Sequence, residues 1–119
     1  SANEIDYINA HATGTKVGDI SESRAIKKVF GKHAEQLLIS STKSSTGHLL
    51  GAAGGIEAVI SLKAMEYNIL PPTINLTEPD EDCDLNYIPN NKIHHQANII
   101  LSNGFGFGGH NTSIIIRKL

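Results

Sequence analysis

The last 22 residues, "NIILSNGFGFGGHNTSIIIRKL", constrain the fold most. Two β-branched stretches, "NIILSN" and "TSIIIRKL", flank the glycine-rich "GFGFGG", a pattern that predicts two antiparallel strands joined by a turn. The segments before them alternate in type. Ile5 to Ala10 reads as a short buried strand, bounded by the polar loop "HATGTKVGD". A helix follows from about Ile20 to Phe30, with Asp19 as cap, Glu22 completing a capping box and Gly31 as stop. "QLLISS" predicts a second strand, and a long helix is expected from about Gly47 to Asn68, ended before Pro71 and Pro72. Thr73 to Gln96 is polar, carries two further prolines and reads mostly as loop. There is no internal repeat. The order β-α-β-α-β-β predicts a mixed α/β domain over residues 1–119, one sheet with helices packed on it.

Composition narrows the function classes. A formal charge of −2 gives no electrostatic case for nucleic acid. No apolar run approaches the roughly 20 residues of a membrane span, and no signal-peptide pattern is present. The single cysteine excludes an internal disulfide framework and suits a reducing compartment. The chain opens on Ser1, and the apolar residues of "IDYINA" follow almost at once, which reads as a fragment or a processed chain.

The chemistry concentrates in "TKSSTGHLLGAAGG", Thr42 to Gly55. A P-loop needs its lysine after the second glycine, but Lys43 precedes every glycine here. Gly47, Gly51 and Gly54 have helical spacing, so the stretch reads as a loop entering a small-faced helix with His48 in its first turn. The helix dipole would keep that imidazole neutral, able to donate to a developing oxyanion. His11, at a strand end, is either a site residue or a structural histidine. Glu57 points among Ala53, Ile60 and Ala64. A carboxylate there needs a cation or several donors, unless the helix bends it toward solvent. Glu22 either caps its helix or pairs with Lys43. Thr13 and Thr15 alternate, so in an extended segment their hydroxyls face one way, toward an amide-bearing ligand or toward water. The glycines of "SNGFGFGGHN" make either an oxyanion hole or a hairpin turn. Cys83, amid Asp80, Glu81, Asp82 and Asp84, is no nucleophile, because anionic neighbours disfavour thiolate. His94 and His95 diverge in an extended segment, and no metal-ligand spacing appears. The chain thus offers electrophile stabilisers without a nucleophile.

Five segments, "NAHATGTKVGD", "SSTKSSTGHLLGAAGGIEA", "LPPTINL", "CDLNYIP" and "SNGFGFGGHN", together resemble the C-terminal half of elongating β-ketoacyl-acyl-carrier-protein synthases. The resemblance implies a thiolase-like α/β fold whose N-terminal half carries an acylated cysteine absent here. It implies a decarboxylating Claisen condensation with malonyl-acyl-carrier protein. His11 and His48 match the two catalytic histidines, which would hold the malonyl thioester oxygen as it becomes an enolate. Lys43 matches the family lysine near Glu22, with an electrostatic and organising role. Thr13 and Thr15 match residues contacting the phosphopantetheine arm, which enters as a substrate carrier; no resident cofactor is implied. The Phe105 N–H would complete the acyl oxyanion hole, and its side chain matches a gate. Glu57, Asn9, Ser102 and Asn103 match a structural site for a sodium or potassium ion.

The pattern departs from the family at Ala12 and Gly14, where Gly and Ser are common. It departs also at Gly104, where Ser is usual and where the exchange is expected to loosen the gate loop. His110 is not assigned to catalysis. The resemblance further implies acyl carrier protein and the N-terminal half as partners, and a homodimer when complete. The compartment would be the bacterial cytoplasm, or a mitochondrion or plastid, but not the exterior. Two alternatives stay open: a polyketide condensing domain, and a non-catalytic piece that completes a partner's site. "NAHA" and "CDLNYIP" look more like discrete fatty-acid synthases, since polyketide domains commonly have Glu before Ala-His.

Overall fold

The computed structural model describes residues 1–119. The elements are β1 (Tyr7–Asn9), α1 (Lys16–Phe30), β2 (Leu38–Ser40), α2 (Lys43–Thr46), α3 (Ala53–Tyr67), β3 (Ile69–Leu70), β4 (Ile93–His94), β5 (Ile99–Gly106) and β6 (His110–Arg117). Short 3₁₀ turns lie at Ala2–Glu4, Gly31–Glu35 and Leu50–Ala52.

The main sheet has the order β2-β1-β5-β6. β1 runs parallel to both β2 and β5, and β5 and β6 form the expected antiparallel hairpin. β3 and β4 form a separate antiparallel pair. β1 is buried along its whole length, as a central parallel strand covered on both faces must be. Its alternation divides the core in two. Ile8 joins Ile26 and Phe30 of α1, while Tyr7 joins Ala64 and Met65 of α3. The result is three layers, with a helix on each face of one sheet.

Two expectations need correction. α1 begins a turn earlier than Ile20, because extended Thr15 takes the N-cap position and Asp19 lies in the first turn. Gly31 does end it. The long helix from Gly47 is two helices. α2 closes at Gly47, whose φ of +74° is left-handed and breaks the ladder, and α3 starts only at Ala53. Gly47, Gly51 and Gly54 therefore share no helical face.

α3 is apolar around much of its circumference. Ala64 and Met65 pack on the sheet with Tyr7 and Ile100, while Ile56, Val59 and Leu62 stand partly exposed on other sides. β6 likewise exposes Ile114 and Ile115. No helix is long and apolar enough to cross a membrane.

Candidate active site

Beyond Asn9 the chain leaves β1 and is pinned from two sides. Ala10 N–H donates to the Ser40 carbonyl at 2.9 Å. The N–H groups of His11 and Ala12 both donate to the Glu22 carboxylate, at 3.0 and 2.8 Å, and Ser41 Oγ donates to the Ala12 carbonyl at 2.6 Å. Glu22 is only 4% exposed and also accepts from Asn103 Nδ2 at 3.0 Å. It neither caps α1 nor pairs with Lys43. With the helix starting at Lys16, Glu22 sits about two turns in and reaches the end of β1.

His48 is not in a helix. It lies between α2 and the 3₁₀ turn, where Leu50 N–H donates to His48 Nδ1 at 3.1 Å. This local bond, rather than a dipole in its own helix, sets the tautomer: with Nδ1 accepting, a neutral ring carries its proton on Nε2.

Although 37 positions separate them, the rings of His11 and His48 meet with centroids 5.5 Å apart at 86°, and Phe105 packs 5.3 Å from His11. Burial foremost, then the Lys43 ammonium and His48, hold the His11 imidazole below its ordinary value of 6.5. The rings open onto a cleft of about 670 Å³, which Thr13 and Thr15 also line, their hydroxyls 3.4 Å apart. Gly51, Gly54 and His110 also line it.

Glu57 also lines the cleft; its Oε1 pairs with Lys43 Nζ, and neither atom finds another hydrogen-bond partner. Lys43 is thus the cation that Glu57 requires. It comes from the start of α2, facing the sheet-side surface of α3. The implied sodium or potassium ion does not fit this arrangement. The Glu57 charge is already compensated, Asn9 engages Thr42, and Asn103 Oδ1 accepts from Ser113 Oγ at 2.8 Å.

The strand tip supplies a backbone donor. Asn98 accepts from Lys118 N–H, and Ile99 from Asp6 N–H. Even residues of β5 therefore turn their backbone to β6 and odd residues toward β1. β1 ends at Asn9, opposite Ser102. Phe105, an odd residue beyond that point, turns its N–H toward the His11 side, where no strand remains to accept it. Gly104 is tied to β6: Thr112, directly opposite, donates through Oγ1 to the Gly104 carbonyl at 3.1 Å. A Cβ at Gly104 would lie 3.2 Å from that hydroxyl. Thr112 had no signal in the sequence beyond its place in an isoleucine-rich strand. Phe107 was also missed. It lines the cleft and is 91% exposed, whereas Phe105 is packed on His11. Its spacing of two from Phe105 was the available sign.

Cys83 lies outside the cleft, its sulfur accepting from Ser23 Oγ at 3.5 Å. His94 pairs in β4 and takes no part.

A three-layer α/β domain with two facing imidazoles and a glycine-rich strand tip is the C-terminal half of a thiolase-like fold. Residues 1–77 match the family model "Beta-ketoacyl synthase, C-terminal domain", and the chain belongs to that family. It is 53% identical over 115 residues to 3-oxoacyl-[acyl-carrier-protein] synthase 2 of Coxiella burnetii, covering 97% of this chain and 28% of that protein. It is 51% identical to the synthase of the same name from Synechocystis, covering 96% of this chain and 27% of that one. Among solved structures, a type II PKS ketosynthase in complex with its acyl-carrier protein superposes with a TM-score of 0.97 at 42% identity, over 100% of this chain and 29% of that one. A beta-ketoacyl synthase from Burkholderia phymatum superposes with a TM-score of 0.92 at 46% identity, over 99% of this chain and 28% of that one. The chain therefore spans under a third of the length of each of these proteins.

Proposed function

We propose that this chain supplies the decarboxylation and oxyanion half of a 3-oxoacyl-acyl-carrier-protein synthase that elongates fatty acids. The observation that carries the reading is the pair of rings, His11 and His48, meeting edge to face in an open cleft.

Malonyl-acyl-carrier protein delivers its thioester through the phosphopantetheine arm, along Thr13 and Thr15. As CO₂ leaves, charge collects on the thioester oxygen. His48 donates Nε2–H to that oxygen, since its Nδ1 is committed to Leu50. His11, kept neutral by burial and by Lys43, donates alongside it. Neutral donors suit this step: they gain strength as the enolate forms and surrender no proton to it. The enolate carbon then attacks an acyl thioester on a cysteine of the N-terminal half, and the thiolate departs from the tetrahedral intermediate. The Phe105 N–H stabilises that intermediate's oxyanion together with the cysteine's own N–H. The packed side chain of Phe105 suits a wall, and the gate role falls better to exposed Phe107.

Lys43 organises the site electrostatically and neutralises Glu57. No step passes through a metal ion. The partners are an acyl carrier protein and the synthase's N-terminal half, which would cover the exposed apolar faces of α3 and β6. The complete enzyme is expected to be a homodimer, and in a bacterium to be cytoplasmic. Alone, the 119 residues should make no β-ketoacyl product, because they hold no activated nucleophile. Assay of the full-length synthase with malonyl- and acyl-carrier protein tests the reading. Absence of 3-oxoacyl product would remove it.

The polyketide reading draws on one observation, the 0.97 superposition on a type II PKS ketosynthase. Higher identity to fatty-acid synthases, 53% against 42%, favours elongation. Product analysis separates the two: a single condensation followed by release indicates elongation, and repeated condensation without reduction indicates a polyketide.

A further inference from the structure

We propose that Ser113, on the β6 strand, is a positioning residue for His11, acting through Asn103 and Glu22. The proposal rests on the condensing role given to His11 above.

Four groups form a continuous chain. Ser113 Oγ donates to Asn103 Oδ1 at 2.8 Å, directly across the β5–β6 ladder. Asn103 Nδ2 donates to Glu22 Oε1 at 3.0 Å, and Glu22 accepts the N–H groups of His11 and Ala12. Glu22 makes no ion pair, so three N–H donors hold its buried charge. That makes the orientation of Asn103 decisive. An amide can offer either nitrogen or oxygen, but only nitrogen is tolerated against a carboxylate. Asn103 Oδ1 must then face β6, in a position only 7% exposed, and Ser113 is the donor that satisfies it there. Ser113 itself is exposed, so without its hydroxyl only water, which fixes no direction, can satisfy that oxygen, and the amide is freed to turn its oxygen on Glu22. Glu22 would then shift, and with it the two peptide N–H groups that aim the His11 ring at His48. Ser113 does not line the His11–His48 cleft but an adjoining cavity shared with Glu22, Asn103 and Phe105, so it reaches His11 only through its neighbours.

The test uses the full-length synthase with Ser113→Ala and Ser113→Thr. For Ser113→Ala, kcat of malonyl decarboxylation should fall at least fivefold while KM for the malonyl thioester stays within twofold. Ser113→Thr should recover most of kcat. Hydrogen exchange at the His11 and Ala12 amides should quicken at least tenfold in Ser113→Ala and not in Ser113→Thr. Unchanged kcat with unchanged exchange would overturn the proposal, as would a loss confined to KM or a threonine variant no better than alanine. If the wild-type synthase condenses nothing, the functional reading fails, and the amide exchange alone decides the positioning.

Discussion

Lys43 and Glu57 meet as a buried ion pair, their side chains 4% and 2% exposed, with Glu57 in the lining of the cleft that the two histidines share. Neither charge would be tolerated there alone, and the pair ties α2 to α3. The arrangement also puts a fixed positive charge near His11.

Removing one partner should be worse than removing both. Lys43→Met or Glu57→Gln leaves a buried group without its partner, and the loss from breaking such a pair runs to about 3–5 kcal/mol. The double variant should recover a sizeable part of that. Denaturant unfolding of the full-length protein measures the cycle, and strictly additive losses would contradict it.

The acid side of the activity profile should reflect His11. Its imidazole is lowered below 6.5, so the ring stays neutral until the pH drops under that value. Activity should persist below pH 6.5 and fail at more acid pH. The stability sign follows from the same shift. Between the lowered value and 6.5 the unfolded chain binds more protons, so this group makes the fold less stable as pH falls through that window. In Lys43→Met the positive charge is gone, and the His11 titration, read by NMR, should move upward. A downward movement would contradict the role given to Lys43.

His11→Ala and His48→Ala should each lower decarboxylation by about 10²–10³, the usual cost of one oxyanion donor. Acylation of the N-terminal cysteine should continue. Radiolabelled acyl transfer and CO₂ release separate the steps, and the opposite pattern would reverse the assignment of roles.

Gly104→Ser restores the residue usual in the family, yet should be unfavourable here. Its Cβ would stand 3.2 Å from Thr112 Oγ1, so that hydroxyl must swing away and give up its bond to the residue-104 carbonyl, a loss of about 0.5–1.5 kcal/mol. In a cycle with Thr112→Gly, the double variant should lose less than the sum of the two single losses. Losses that simply add would show that the two positions are uncoupled.

Much of this was legible in the chain, for reasons that differ by residue. The hairpin could be read because β-branched runs and glycines carry their own local signals. The need of Glu57 for a cation was readable from helical phase, but its source was not, since Lys43 lies on another element. Glu22 was misplaced for a related reason: a carboxylate in a first turn looks like a cap until the true start of the helix, at Lys16, is known. Glycine spacing makes His48 read as helical but says nothing of φ, and a single left-handed Gly47 ends α2 before it. The convergence of the two imidazoles depends on the sheet order, which local patterns do not encode.

The greasy girdle of α3, with Ile56, Val59 and Leu62 unshielded, bears on how the polypeptide must be handled. Produced by itself, such a stretch would engage chaperones or clump with its own copies. Co-production with the N-terminal half proposed above is therefore the practical route to material that stays dispersed long enough to be assayed.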